Sequence, residues 1–133
     1  MGSESPHRQY QKIVTTGFLI RDGKALIAKR SETEAFLPGY YDLPGGKCEF
    51  GEHPEVAMQR EFREETGLVV AVIRPYRTFS YLSDGDRRHT VEIVFLLSEQ
   101  SAEPIQLGPD HSEVAWVTSR LASPRLRGAW AEW

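Results

Sequence analysis

The sequence predicts an α+β domain, a mixed β-sheet covered by one long helix and one shorter one. Three observations carry that reading. Apolar, β-branched runs suited to strands fall before and after a central stretch, without the strand–helix alternation of a doubly wound fold. The central stretch, Pro54 to Thr66, has legible helix ends. A chain of 133 residues, 40% hydrophobic and 26% charged, fits one domain with one core. Residues 1–10 read as a disordered or tag-derived N-terminus and residues 11–133 as the single domain.

The elements follow in order. Ile13 to Ile20 is β-branched and aromatic, as a strand requires, and Gly17 inside it predicts a bend or a close backbone approach. Asp22-Gly23 is a two-residue hairpin signal. Ala25 to Ala28 returns as the second strand and ends in Lys29-Arg30, either a solvated strand end or a phosphate contact. Ser31 to Tyr41 reads as a loop. Its rings, Phe36, Tyr40 and Tyr41, either close over the core or stack on a planar ligand such as a base. Asp42-Leu43-Pro44-Gly45-Gly46 follows, where paired glycines after a proline suit a tight turn or a close backbone approach, and Lys47 to His53 links it to the helix.

Pro54 suits the first helical position, where its missing N–H is unpaired anyway, and Gly67 suits the left-handed residue just past the end. After the helix, Leu68 to Ile73 is a strand that Pro75 interrupts, with extended character resuming from Thr78 to Leu82. Ser83 to Asp86 is a turn facing solvent or ligand, and Thr90 to Ser98 is the next strand. Gln100 to Pro109 is loop with a short strand at Ile105. Ser112 to Thr118 is a strand with Val114 and Trp116 on one face and Glu113, Ala115 and Val117 on the other. Ser119 to Trp133 supplies the shorter helix, with Trp130 and Trp133 docked on the domain, in a partner contact such as a homodimer, or at a truncated end.

Composition narrows the function. The formal net charge is −3, so no global basic field exists to hold a long nucleic acid. Cys48 is the single cysteine, which rules out an intrachain disulfide; with no signal peptide, a cytoplasmic setting is expected. The most apolar run, Val91 to Leu97, contains Glu92 and is too short to span a bilayer, so no membrane partner is expected.

The chemistry concentrates in the helix, which carries Arg60-Glu61-Phe62-Arg63-Glu64-Glu65. At about 100° per residue, Glu61, Glu64 and Glu65 fall within an arc of roughly 100°. Like charges at helical spacing destabilise each other, and a hard divalent cation is the natural compensation.

The spacing Gly46, five residues, Glu52, seven residues, Arg60-Glu61-Phe62, one residue, Glu64-Glu65, one residue, Gly67-Leu68 resembles the Nudix box at every defining position. Leu43-Pro44-Gly45-Gly46 resembles the usual lead-in, and Ser112-Glu113-Val114-Ala115-Trp116-Val117 a common downstream segment. The resemblance implies an α/β/α sandwich with a mixed sheet and hydrolysis of a nucleoside diphosphate linked to a group X, with Mg²⁺ or Mn²⁺ as cofactor. It implies that Glu61, Glu64 and Glu65 bind metal with the carbonyl of Gly45, and that Glu52 and Arg60 hold loop and helix in register. His53 departs from the Ser or Thr that often caps this helix, and histidine is a poorer cap.

A diphosphate repels nucleophiles by its own charge. Divalent ions neutralise its oxygens, orient it and lower the pKa of a bound water. Glu64 or Glu65 could act as general base, and Asp110 and Glu113 are further candidates. Arg30, Tyr40, Tyr41, Gly46 and Asp110 are the candidate substrate contacts. The expected substrate is a small nucleotide, foremost a (deoxy)nucleoside triphosphate, oxidised forms such as 8-oxo-dGTP included, cleaved to monophosphate and pyrophosphate. A nucleoside diphosphate sugar or ADP-ribose is the alternative, and a non-catalytic nucleotide-binding domain is the alternative from another class.

Overall fold

The computed structural model describes residues 8–30, 40–100, 104–108 and 111–118. In chain order the elements are β1 (Tyr10–Arg21), β2 (Lys24–Arg30), β3 (Tyr41–Asp42), β4 (Gly45–Lys47), α1 (Pro54–Thr66), β5 (Val70–Ser83), β6 (Arg88–Glu99) and β7 (His111–Thr118). The main path through the sheet runs β3-β2-β1-β6-β5, with β4 also paired to β1 and β7 to β2. β1 and β6 are parallel, from Tyr10↔Arg88 to Leu19↔Leu97. The remaining pairs are antiparallel. The fold is therefore α+β with a mixed sheet, as expected.

Alternation along the strands sends side chains to two faces. Leu19, Phe95 and Leu97 meet Met58 and Phe62 of α1, with Leu26, Leu68 and Val70 completing that core. Their strand neighbours Ile27, Val94 and Val117 build a second cluster with Leu43, flanked by Phe18, Tyr41 and Phe79. Val114 and Trp116 join the first core and Ala115 the second, as the alternation in β7 predicts. Gly17 is a point of close approach between α1 and the sheet. A Cβ there would lie 2.3 Å from Leu97 Cδ1 and 3.2 Å from Met58 Sδ.

Several expectations change. β1 begins at Tyr10, three residues earlier than expected, because pairing with β6 extends to Arg88. Tyr41–Asp42 and Gly45–Lys47 are short strands rather than turn, because β2 and β1 offer them open edges. Pro75 does not interrupt β5. Register shifts at Val72/Arg74 and Pro75/Arg77 absorb it on this edge strand, where a missing N–H disturbs the ladder least. Ile105 is not in a strand, yet it packs against the first core. The expected terminal helix with Trp130 and Trp133, most of the 31–41 loop with Phe36, and residues 1–7 of the expected disordered or tag-derived N-terminus lie outside the described residues. Among the described residues, no helix is long and apolar enough to cross a membrane.

One buried group stands out on the face away from α1. Glu92 of β6 is 5% exposed and accepts a hydrogen bond of 2.8 Å from Thr16 Oγ1 of β1. Burial pushes its carboxyl up to about 7; the Thr16 hydrogen bond opposes that, and the nearby Asp42 carboxylate adds to it. In the unfolded chain the same carboxyl ionises near the ordinary value. Between the two values the folded state binds more protons, so stability falls as pH rises through the window.

Wild-type protein is expected to lose stability relative to Glu92→Gln, by on the order of 2–3 kcal/mol, as pH rises from about 4.5 to about 7. Urea denaturation across that range checks this. Parallel profiles for the two proteins would count against a neutral buried Glu92.

Candidate active site

The site forms where the C-terminal half of α1 faces the wall made by β4. His53 caps the helix in extended conformation (φ −67, ψ 136), with its Nδ1 accepting from Glu55 N at 3.2 Å. The histidine thus performs the capping role that a hydroxyl or carboxylate would. Gly67 closes the other end in the left-handed region (φ 77) and donates to Arg63 O at 2.8 Å. Ala57, Met58 and Phe62 lie in the buried face of the helix. That orientation leaves Arg60, Glu61 and Glu64 on the flank towards the β4–α1 loop.

Arg60 organises this flank. Its Nε and Nη2 donate to the two oxygens of Glu52 at 2.8 and 2.9 Å, a bidentate pair. Nη2 also reaches Lys47 O at 3.1 Å. Nη1 turns the other way and donates to Glu61 Oε2 at 3.0 Å and to both oxygens of Glu64 at 3.3 Å. One guanidinium thus ties the loop, the wall and two helix carboxylates together. Arg60, first through Glu52 and then through Glu61 and Glu64, is held well above its usual range. The Arg60 hydrogen bonds, with the Glu49 N–H, hold the Glu52 carboxyl down to about 2. At Glu61 burial wins over Arg60, and the carboxyl is raised.

The wall has no room for side chains. A Cβ on Gly46 would lie 2.3 Å from Glu61 Oε1, and one on Gly45 would lie 2.0 Å from the backbone oxygen of Thr15. Gly45 pairs with Thr16 and Gly46 with Thr15, and Gly17 N donates to Pro44 O at 3.0 Å. The wall is therefore laced to β1 on one side and touched by Glu61 on the other. Hard oxygen donors from Glu61 and Glu64, drawn to one point beside a glycine cradle, suit a divalent cation chemically. Among the described residues, no group of three or more His, Cys, Asp or Glu is gathered tightly enough to hold a metal ion. Glu61 and Glu64 converge on Arg60 Nη1 instead.

The remaining expected residues are dispersed. Glu65 is buried at 7% exposure, while more than half of the Glu64 side chain is exposed. Glu113 of β7 lies across β2 from Tyr41. It accepts from Tyr41 OH at 2.7 Å, and Lys29 Nζ is 4.0 Å from its other oxygen. These contacts place Glu113 with Tyr41 and Lys29 rather than with the helix carboxylates. Tyr41 packs on the second core, and Tyr40 is exposed. Arg30 ends β2 opposite His111; its side chain, and Asp110 entirely, lie outside the described residues. Cys48 is partly buried, and its thiol, raised chiefly by burial, donates to Glu52 O at 3.2 Å.

The sequence reading missed Thr15 and Thr16, whose backbone carries the wall, and the Lys47 carbonyl. Paired threonines in an apolar strand were a usable signal; a backbone carbonyl leaves none. A cleft of about 810 Å³ bordered by Tyr10, Gln11, Leu82, Arg87 and His89 sits at the β5–β6 hairpin end and contains none of the site residues.

Comparison with known proteins identifies the family. A family model for the NUDIX domain matches residues 11–132. The chain is 35% identical over 101 residues to the ADP-ribose pyrophosphatase of Methanocaldococcus jannaschii, covering 76% of this chain and 58% of that protein. It is 29% identical over 117 residues to the nucleoside triphosphatase NudI of Escherichia coli, covering 80% of this chain and 82% of that one. A MutT protein structure from Methanosarcina mazei superposes with a TM-score of 0.75 at 24% identity, covering 93% of this chain and 85% of that chain, a likeness of fold.

The Arg60–Glu52 pair makes a pH prediction. Glu52 has a depressed folded value, so its contribution is present above the ordinary carboxylate range and is lost as pH falls through about 2. In metal-free buffer, Arg60→Met should unfold at a higher pH than wild type during acid titration followed by circular dichroism. Coincident acid transitions would show that the pair does not tie loop to helix.

Proposed function

The chain belongs to the Nudix hydrolase family, and we propose that it is a Mg²⁺-dependent pyrophosphohydrolase acting on a small nucleotide. The observation that carries this reading is the convergence of Glu61 and Glu64 beside Gly46, fixed by Arg60. In this proposal Glu61, Glu64 and Glu65 hold the metal with the Gly45 carbonyl, and Mn²⁺ can replace Mg²⁺. When bound, the ion neutralises diphosphate oxygens and acidifies water.

The chain's own residues do the rest. Gly45 and Gly46, which have no room for side chains, let the wall pack directly on β1 and on the Glu61 carboxylate. Arg60 holds Glu52, and through it the loop, so that the carboxylates keep their spacing while substrate exchanges. In this proposal Glu64, the most exposed of the three, accepts a proton from the attacking water where the ion leaves it free, with Glu65 as the alternative. Water adds to one phosphorus, the bridging P–O bond breaks, and the bridging oxygen leaves with the departing phosphate group.

For substrate class we favour a (deoxy)nucleoside triphosphate, oxidised forms included, giving monophosphate and pyrophosphate. Supporting this choice, the relative named nucleoside triphosphatase is matched over 82% of its own length. The second reading, ADP-ribose or a sugar nucleotide, is supported by the higher identity to the protein named ADP-ribose pyrophosphatase, although this chain spans 58% of that protein's length. Arg30, Tyr40, Tyr41, Gly46 and Asp110 are the proposed substrate contacts, and Glu113 is a further candidate for the general base.

Phosphate release from a panel of triphosphates, oxidised triphosphates, sugar nucleotides and ADP-ribose with Mg²⁺ tests the proposal. Glu64→Gln should lower kcat by about a hundredfold or more on the best substrate, as loss of a general acid–base group does. Undiminished turnover in that variant would remove Glu64 from the chemistry. Tight nucleotide binding without turnover by wild type would favour the binding-domain reading.

A further inference from the structure

The last turn of α1 carries Glu64 and Glu65, and its exposed carbonyls need partners. Gly67 N takes Arg63 O. Two others come from a segment forty residues downstream in the chain. Gln106 N donates to Thr66 O at 2.7 Å, and Gly108 N donates to Glu65 O at 2.9 Å. Residues 104–108 thus lie across the C-terminal end of the helix, anchored at Ile105, which packs on the first core.

The contact leaves no tolerance at Gly108. A Cβ there would lie 2.6 Å from Glu64 O and 3.3 Å from Glu65 Cα. The obstructing atoms are backbone, so rotation of a flexible side chain cannot relieve the clash. Either residues 104–108 or the helical turn bearing the two carboxylates must move. Gly67 is close to the same segment, where a Cβ would meet that of Gln106 at 3.2 Å.

From this we propose that Gly108 is a positioning residue for Glu64 and Glu65. Residues 106–108 act as a clasp that sets where the last helical turn stands relative to the β4 wall. The inference rests on the proposal that Glu64 and Glu65 are metal ligands. A displacement on the order of 1 Å at a reacting group can cost about a hundredfold in rate, whereas the fold itself tolerates it. The clasp therefore acts on the metal before it acts on stability. It also implies reciprocity: an ion gripping Glu64 and Glu65 must tighten the clasp by the same coupling.

The test compares wild type, Gly108→Ala and Glu64→Gln. Magnesium affinity is read by calorimetry, kcat and KM by phosphate release, and folding by thermal denaturation. Gly108→Ala should weaken Mg²⁺ binding and lower kcat by about tenfold or more, with KM within about twofold at saturating metal and a cooperative melt retained. Wild-type metal affinity and kcat in folded Gly108→Ala overturn the proposal. So does a lowered melting temperature with metal affinity and kcat unchanged. Should the variant not fold, amide exchange of Gln106 and Gly108 in wild type decides. Their protection should rise on saturation with Mg²⁺; protection unchanged by the metal overturns the clasp. Unchanged metal binding and turnover in Glu64→Gln would instead remove the ligand assignment, a result readable apart from Gly108.

Discussion

The site depends on a single guanidinium being shared. Arg60 spends its Nε and Nη2 on Glu52 and the Lys47 carbonyl, and its Nη1 on Glu61 and Glu64. A planar fork with fixed geometry can do this; an ammonium on a flexible stem cannot hold two directions at once. Three carboxylates around one cation leave a formal local charge of −2 in a chain whose net charge is −3. That surplus, held beside Gly46, is what a divalent ion would neutralise. The arginine keeps the carboxylates gathered without satisfying them.

The sheet supplies the other half. The parallel pairing of β1 with β6 fixes β1 along most of its length, and the opposite edge of β1 then accepts β4. Gly45 sits too close to the Thr15 carbonyl for any side chain, so the wall is set by backbone contact. Gly17 lets α1 approach the same strand. Helix and wall are both referenced to β1. The spacing between Glu61 and Gly46 therefore follows from packed backbone rather than from the loop that joins them. Burial of Phe62 and Met58 fixes the rotation of the helix, and the charged flank follows from that.

Much of this was legible in the sequence, and the exceptions are instructive. The limits of α1 are those its proline and glycine predict, because capping is local chemistry. The Asp22-Gly23 hairpin and the faces of β7 follow equally from local pattern. Pro75 misled, since a proline reads as a break unless the strand is known to be an edge that can bulge. Gly45 and Gly46 looked like a turn because strand pairing by so short a segment depends on its partner, not on its composition. Glu92, inside the most apolar run, became a buried acid only through the cross-strand Thr16. In the sequence Glu113 is only a candidate base; its place beside Tyr41 and Lys29 follows from the pairing of β7 with β2. The clasp at Gly108 had no signal at all, because its hydrogen bonds are made by backbone groups distant in sequence.

The central claim is that Arg60 holds Glu61 and Glu64 at a cation site against the β4 wall. The most direct measurement is anomalous diffraction from crystals equilibrated with Mn²⁺. The account predicts a peak within coordination distance of the Glu61 and Glu64 carboxylates, beside Gly45 and Gly46, with Arg60 still paired to Glu52. A Mn²⁺ peak elsewhere, with Glu61 and Glu64 unmoved on the Arg60 guanidinium, would contradict it.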